Sequence, residues 1–162
     1  MSHADFLFEL GTEELPPKSL MTLSKALESS ITGQLKDLGL AHGQVTPYAT
    51  PRRLTVIIEA LEVQQADRRE SRRGPSVKAP EKAVAGFARS CNVTLDDLAI
   101  VETDKGQYYE FDRQVKGAKT LDLLAAVINQ ALANLPIAKR MRWGSSRNEF
   151  VRPVQWFIMT LG

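Results

Sequence analysis

The sequence predicts a mixed α/β (α+β) fold, a largely antiparallel sheet with two long amphipathic helices packed on it. Three observations predict it. Leucine and isoleucine recur at three- and four-residue spacing in two long runs. Short apolar or β-branched runs bounded by glycine and proline lie between and around them. Asp104-Lys105-Gly106 separates two strand-like segments as a hairpin tip would. With 162 residues and 43% hydrophobic composition, the chain is long enough to bury a core, so 1–162 is expected to form a single domain, with an exposed linker over 66–80.

Phe6-Leu7-Phe8-Glu9-Leu10 reads as a buried strand ended by Gly11. Pro16 and Pro17 suit the start of a helix, where a missing N–H costs nothing, and Leu20, Leu23, Leu27, Ile31, Leu35 and Leu38 carry its apolar stripe until Gly39. Between Pro51 and Glu59, Leu54, Val56 and Ile58 alternate with Thr55 and Ile57 as in a strand buried on both faces. Pro80 opens a short helix with Val84, Phe87, Ala88 and Cys91 on one side, and Thr94 followed by Asp96 and Asp97 reads as a capped helix start. Ile100 to Glu102 and Tyr108 to Val115 form the hairpin. Thr120 is expected to cap the second long helix, which carries Leu121, Leu124, Ala125, Ile128, Leu132 and Leu135 up to Pro136. Val154 to Leu161 is apolar at both alternations, so Trp156 and Phe157 are expected in the core of a central strand and the natural polypeptide is expected to continue beyond it.

Charge is regional. The net charge is only +2, yet residues 1–40 hold three lysines against six acids while residues 139–152 hold five basic residues against Glu149 alone. Lys139, Arg140, Arg142, Arg147 and Arg152 are interleaved there with Trp143, Phe150 and Trp156, the composition of a surface that neutralises phosphates and stacks on bases. A second cluster, Arg68, Arg69, Arg72 and Arg73, runs into Gly74-Pro75, where regular structure is not expected to persist.

Reactive chemistry is not legible. No Gly-x-x-x-x-Gly-Lys-Ser/Thr loop and no Gly-x-Gly-x-x-Gly occurs, so no ATP site is expected in this chain. His3 and His42 stand alone, and the single cysteine, Cys91, excludes an internal disulfide and a thiolate-rich zinc site, which fits a cytoplasmic setting. No catalytic residue and no metal ligand is assigned. No apolar stretch approaches the ~20 residues that span a bilayer, so no membrane partner is expected. Glu13 and Glu14 precede Pro16-Pro17, where acids favour the positive end of a helix and cap its N–H groups; a salt bridge to Arg52 and Arg53 is compatible with that. Strand alternation would bury one of Arg52 and Arg53, leaving a structural ion pair and a phosphate contact as alternatives.

Four segments occur in one order: Phe-x-x-Glu-Leu-Gly-Thr-Glu-Glu-Leu-Pro-Pro at 6–17, Thr-Pro-Arg-Arg-Leu at 50–54, Arg-Arg-Gly-Pro at 72–75, and Lys-Arg-Met-Arg-Trp-Gly at 139–144 with Phe-Val-Arg-Pro at 150–153. Together they resemble the N-terminal part of the beta subunit of bacterial tetrameric glycyl-tRNA synthetase. The connection from Ser76 to Ala85 is shorter than is usual in that family. The resemblance implies the opening region of a longer beta subunit, without its later HD-like and anticodon-binding parts. It implies a role in tRNA recognition or subunit architecture during ATP-dependent attachment of glycine to tRNA(Gly). ATP and Mg2+ then belong to the alpha subunit, and the partners are that subunit, the rest of the beta subunit and tRNA(Gly). Arg72, Arg73, Arg140, Arg142, Trp143, Arg147 and Arg152 are the candidate tRNA or phosphate contacts; Glu13, Glu14, Arg52 and Arg53 are the candidate structural ion pairs. The alternative is a scaffold or subunit-interface module whose arginines form internal salt bridges and never meet RNA.

Overall fold

The structure, a computed structural model, describes residues 2–104, 106–145 and 147–162. The chain expected to form a single domain divides into two compact units, residues 66–117 being inserted into the unit formed by the segments before and after them.

The larger unit is a four-stranded antiparallel sheet in the order β2-β3-β1-β9, built from β1 (His3–Thr12), β2 (Val45–Thr50), β3 (Arg53–Glu62) and β9 (Val154–Leu161). Period-two alternation sends Phe6, Phe8 and Leu10 of β1 and Leu54, Val56 and Ile58 of β3 to one face, where all are 2% exposed or less. Helices α1 (Leu20–Asp37) and α3 (Thr120–Ala133) contribute Leu23, Leu27, Ile31 and Leu35, and Leu124, Val127, Ile128 and Ala131, to the same core. The two long helices are thus those the leucine spacing predicts. Thr120 does not cap α3: it lies inside the first turn behind Lys119, and its hydroxyl donates to the Glu62 carbonyl (2.5 Å), tying helix to strand.

Sheet order overturns the expectation for the last strand. Among the described residues β9 pairs with β1 only and lies at an edge, so Trp156, Phe157 and Ile158 are 38%, 66% and 46% exposed rather than core. Trp156 lies flat over Gly11, where a Cβ would come within 2.2 Å of the indole ring, so only glycine admits this packing. At the other edge β2 carries Pro47, a residue confined to strands whose N–H needs no partner.

The smaller unit is a three-stranded antiparallel sheet in the order β4-β6-β5, from β4 (Arg68–Ser76), β5 (Ala99–Thr103) and β6 (Gly106–Val115), covered by α2 (Glu81–Cys91). The stretch 66–80, expected as a linker, is therefore mostly strand: β4 pairs with β6 from Arg68 to Arg73, and Gly74-Pro75 is absorbed by a register shift before Ser76 meets Tyr108. Gly74 has a packing reason as well, because a Cβ there would lie 2.5 Å from the Phe87 ring. Val84, Ala88, Leu98 and Phe111 form a separate small core. The capped start at Thr94 is a 3-10 turn, Leu95–Asp97, in which Asp97 Oδ2 accepts from the Thr94 N–H (2.9 Å) and hydroxyl (2.6 Å). The hairpin is as expected at Gly106, whose φ of 114° favours glycine; Lys105 lies outside the described residues.

Both exits to the inserted unit leave from one narrow neck. Gln64 and Lys119 form an antiparallel bridge, and the Gln65 N–H donates to the Ala118 carbonyl (3.0 Å). No helix is long and apolar enough to cross a membrane among the described residues.

Candidate nucleic-acid interface

The basic segment after α3 is a short hairpin, β7 (Met141–Arg142) against β8 (Glu149–Phe150), with Gly144 at φ 58° in the turn. Phe150 is buried and anchors the hairpin to the core of the larger unit. Arg142 and Glu149 face each other in register, and Arg142 Nε donates to Glu149 Oε1 at 2.6 Å, with the arginine side chain 66% exposed. Arg140 turns back to donate from Nη2 to the Ala133 carbonyl (2.8 Å), one of the orphan acceptors at the negative end of α3. Arg147 is exposed and has no ion-pair partner among the described residues; Ser146 beside it lies outside them. Trp143 is half-buried against the core and walls a groove of about 590 Å3 whose floor is Phe8, Leu10, Ile128 and Leu132, with Phe157 on the outer side.

Arg152 is spent differently. Its Nε donates to the Glu14 carbonyl (3.1 Å) and its Nη1 to the Val151 carbonyl (2.9 Å), in a corner where the Thr12 N–H reaches Arg52 O (2.9 Å), the Glu13 N–H reaches Pro153 O (2.9 Å) and the Leu15 N–H reaches Pro51 O (2.7 Å). Segments 6–17, 50–54 and 150–153 are knitted together there by main-chain bonds. The roles expected of Glu13 and Glu14 are not those found. α1 begins only at Leu20, with no acid in its first turn, because residues from Pro16 to Ser19 form a separate turn. The Glu13 carboxylate instead accepts from Gln155 Nε2 (2.7 Å), and Glu14 contributes its carbonyl.

Neither Arg52 nor Arg53 is buried, since they lie at the tight turn that joins β2 to β3. Arg53 pairs with Glu9 rather than Glu13 or Glu14 (3.6 Å) and lies over the Trp156 ring at 5.5 Å, while the Thr55 hydroxyl donates to Glu9 at 2.7 Å. Arg52 supplies a carbonyl to the corner and has no ion pair among the described residues. Glu9 and Trp156 were therefore the partners that sequence reasoning missed; strand register, which places Glu9 beside Thr55 and Gly11 beside both Arg53 and Trp156, is the signal that finds them.

On the inserted unit the arginines alternate across β4. Arg69, Ser71 and Arg73 fall on one face opposite Gln114, Asp112 and Glu110. Arg69 Nε donates to Asp112 Oδ1 (2.7 Å) and its Nη2 reaches Oδ2, while Ser71 Oγ donates to Glu110 (2.5 Å). Arg73 stacks on Tyr108 at 4.0 Å and donates to Thr103 Oγ1 (3.3 Å), and Arg72 pairs with Glu70 (3.3 Å). Two of the β4 arginines, Arg69 and Arg72, are thus paired with acids of this sheet. The hydrogen bond from Arg69 holds Asp112 below the usual carboxylate range, and that from the Thr94 hydroxyl does the same for Asp97. Depressed carboxyl pKa values add stability that is present above the unfolded value and lost as pH falls through the folded one. Asp112→Asn is expected to flatten, without abolishing, the fall in thermal midpoint between pH of about 5 and 2; an unaltered acid limb would show that the Arg69 contact is not formed in solution.

Among the described residues no group of three or more His, Cys, Asp or Glu side chains gathers as metal ligands would. The family profile described as glycyl-tRNA synthetase beta subunit matches residues 6–162. The chain is similar to the glycine--tRNA ligase beta subunits of Hahella chejuensis (47% identical), Chromohalobacter salexigens (46%) and Yersinia pestis (43%), in each case over 100% of this chain and 24% of the relative. It thus spans about a quarter of the length of these curated relatives.

Proposed function

Since this chain belongs to the glycyl-tRNA synthetase beta subunit family, we propose that it helps hold tRNA(Gly) while an alpha subunit attaches glycine in the cytoplasm. ATP and Mg2+ are assigned to the alpha subunit, in keeping with the lack of a glycine-rich phosphate loop in this sequence. The observation that carries the reading is the hairpin at 139–152: Arg147 is exposed and unpaired among the described residues, with Arg142, Arg140 and Trp143 on the same short element. The Arg142–Glu149 pair is solvent-exposed, and such pairs are weak enough for a phosphate to replace the carboxylate.

Salt titration of tRNA(Gly) binding to the assembled alpha/beta enzyme tests this. Arg147→Ala is expected to weaken binding at every salt concentration and to lower the slope of log K against log salt by about one, as loss of one phosphate contact requires. An unchanged slope would remove Arg147 from the interface.

A second reading, a structural scaffold or subunit interface whose arginines serve the fold, is favoured by the Arg69–Asp112 and Arg72–Glu70 pairs and by the carbonyls that Arg152 binds. It assigns Arg72, Arg73 and Arg152 to architecture. Under it, their alanine variants lower the melting temperature and leave the salt slope unchanged.

A further inference from the structure

We propose that the outer edge of β9 is the docking site of an additional β-strand supplied by the remaining polypeptide of the full-length beta subunit. The Gly162 N–H donates to the Asp5 carbonyl (2.9 Å), and Phe6 lies opposite Leu161. Antiparallel alternation therefore directs the peptide groups of Trp156, Ile158 and Thr160 toward β1 and those of Phe157, Met159 and Leu161 away from the sheet. No strand pairs with that outer side among the described residues.

The side chains agree with the backbone. Trp156 and Ile158 project on one face and Phe157 on the other, and all three are exposed in succession. Residues 154–161 contain no charge and no proline, and the one irregularity against β1 falls between Gly11 and Thr12, at the start of the strand. Natural edge strands are blunted by charges, proline, bulges or shortness. The opposite edge of the same sheet obeys this rule through Pro47 and a six-residue β2. An eight-residue uncharged edge is thus built for pairing, not for water. A strand beside it would also lay alternate side chains over the groove bounded by Phe157 and Trp143.

Length identifies the occupant. The matched region is 24% of each relative, so most of the subunit is polypeptide beyond it, tethered to this sheet. Tethering gives that polypeptide an effective concentration on the order of millimolar, which a second copy or a separate chain does not reach at ordinary dilution. The inference is independent of whether the hairpin touches RNA.

Site-resolved amide hydrogen exchange on the full-length beta subunit decides it. The amides of Phe157, Met159 and Leu161 are expected to be protected to the same degree as those of Trp156, Ile158 and Thr160, about 100-fold or more relative to an open chain, at all protein concentrations. Fast exchange confined to the three outward amides would overturn the proposal. Protection that grows with subunit concentration would assign the edge to a second copy, and protection that appears only on adding the alpha subunit would assign it to that partner; either also overturns it.

Discussion

Phe6→Ala is expected to cost about 3–5 kcal/mol of unfolding free energy, read as a fall in the urea midpoint. Phe6 is 0% exposed, lies in β1 between two flanking strands, and faces the layer formed by α1 and α3 beside Ile58 and Leu161. Removing a phenyl ring there forfeits its transfer free energy and leaves a void that helices pinned by Leu27, Ile31 and Leu124 cannot collapse to fill. Domains of this size are stable by only about 5–15 kcal/mol, so the loss is a large share. Met21→Ala, at a side chain 63% exposed, is the control and should change stability by less than about 0.5 kcal/mol. A loss below about 1 kcal/mol for Phe6→Ala would mean that the helices do not seal this face of the sheet.

Phe111→Ala should instead unfold one part of the chain and spare the other. Among its described residues the inserted unit has four buried apolar side chains, and Phe111, 5% exposed, is the largest of them. Deleting it is expected to cost about 3–5 kcal/mol, which so small a core cannot absorb. The two tryptophans, Trp143 and Trp156, both belong to the larger unit, so fluorescence reports that unit alone. The expected result is an early circular-dichroism transition with an unshifted tryptophan-fluorescence melt. Coincident early transitions by both probes would show that the units unfold as one cooperative body.

The elements whose burial repeats in sequence were legible. Leu23, Leu27, Ile31 and Leu35 wrote α1 and Leu124 and Ile128 wrote α3, because one-sided burial leaves a period that composition cannot hide, while Leu54, Val56 and Ile58 wrote β3 through their period-two spacing. What depends on neighbours was not legible. An uncharged strand reads as central whether or not a partner flanks it, so β9 was misplaced and Trp156 and Phe157 with it. β4, rich in arginine, reads as linker until β6 supplies Asp112 and Glu110 opposite it. For the candidate site, the basic hairpin was visible as composition, but which guanidinium groups are engaged was not. Arg152 and Arg53 find their partners, the Glu14 carbonyl and Glu9, through contacts that only the folded chain creates.

The closed neck at Gln64–Gln65 and Ala118–Lys119 makes residues 66–117 a cassette. With both exits bonded to each other, the flanking strand and helix meet the conditions of a tight turn whatever is spliced between them, and loop-closure entropy rises only slowly with the length of the splice. A longer, shorter or differently charged segment between the two exits would therefore cost the larger unit little, and Phe6 and its neighbours need not change to accommodate it.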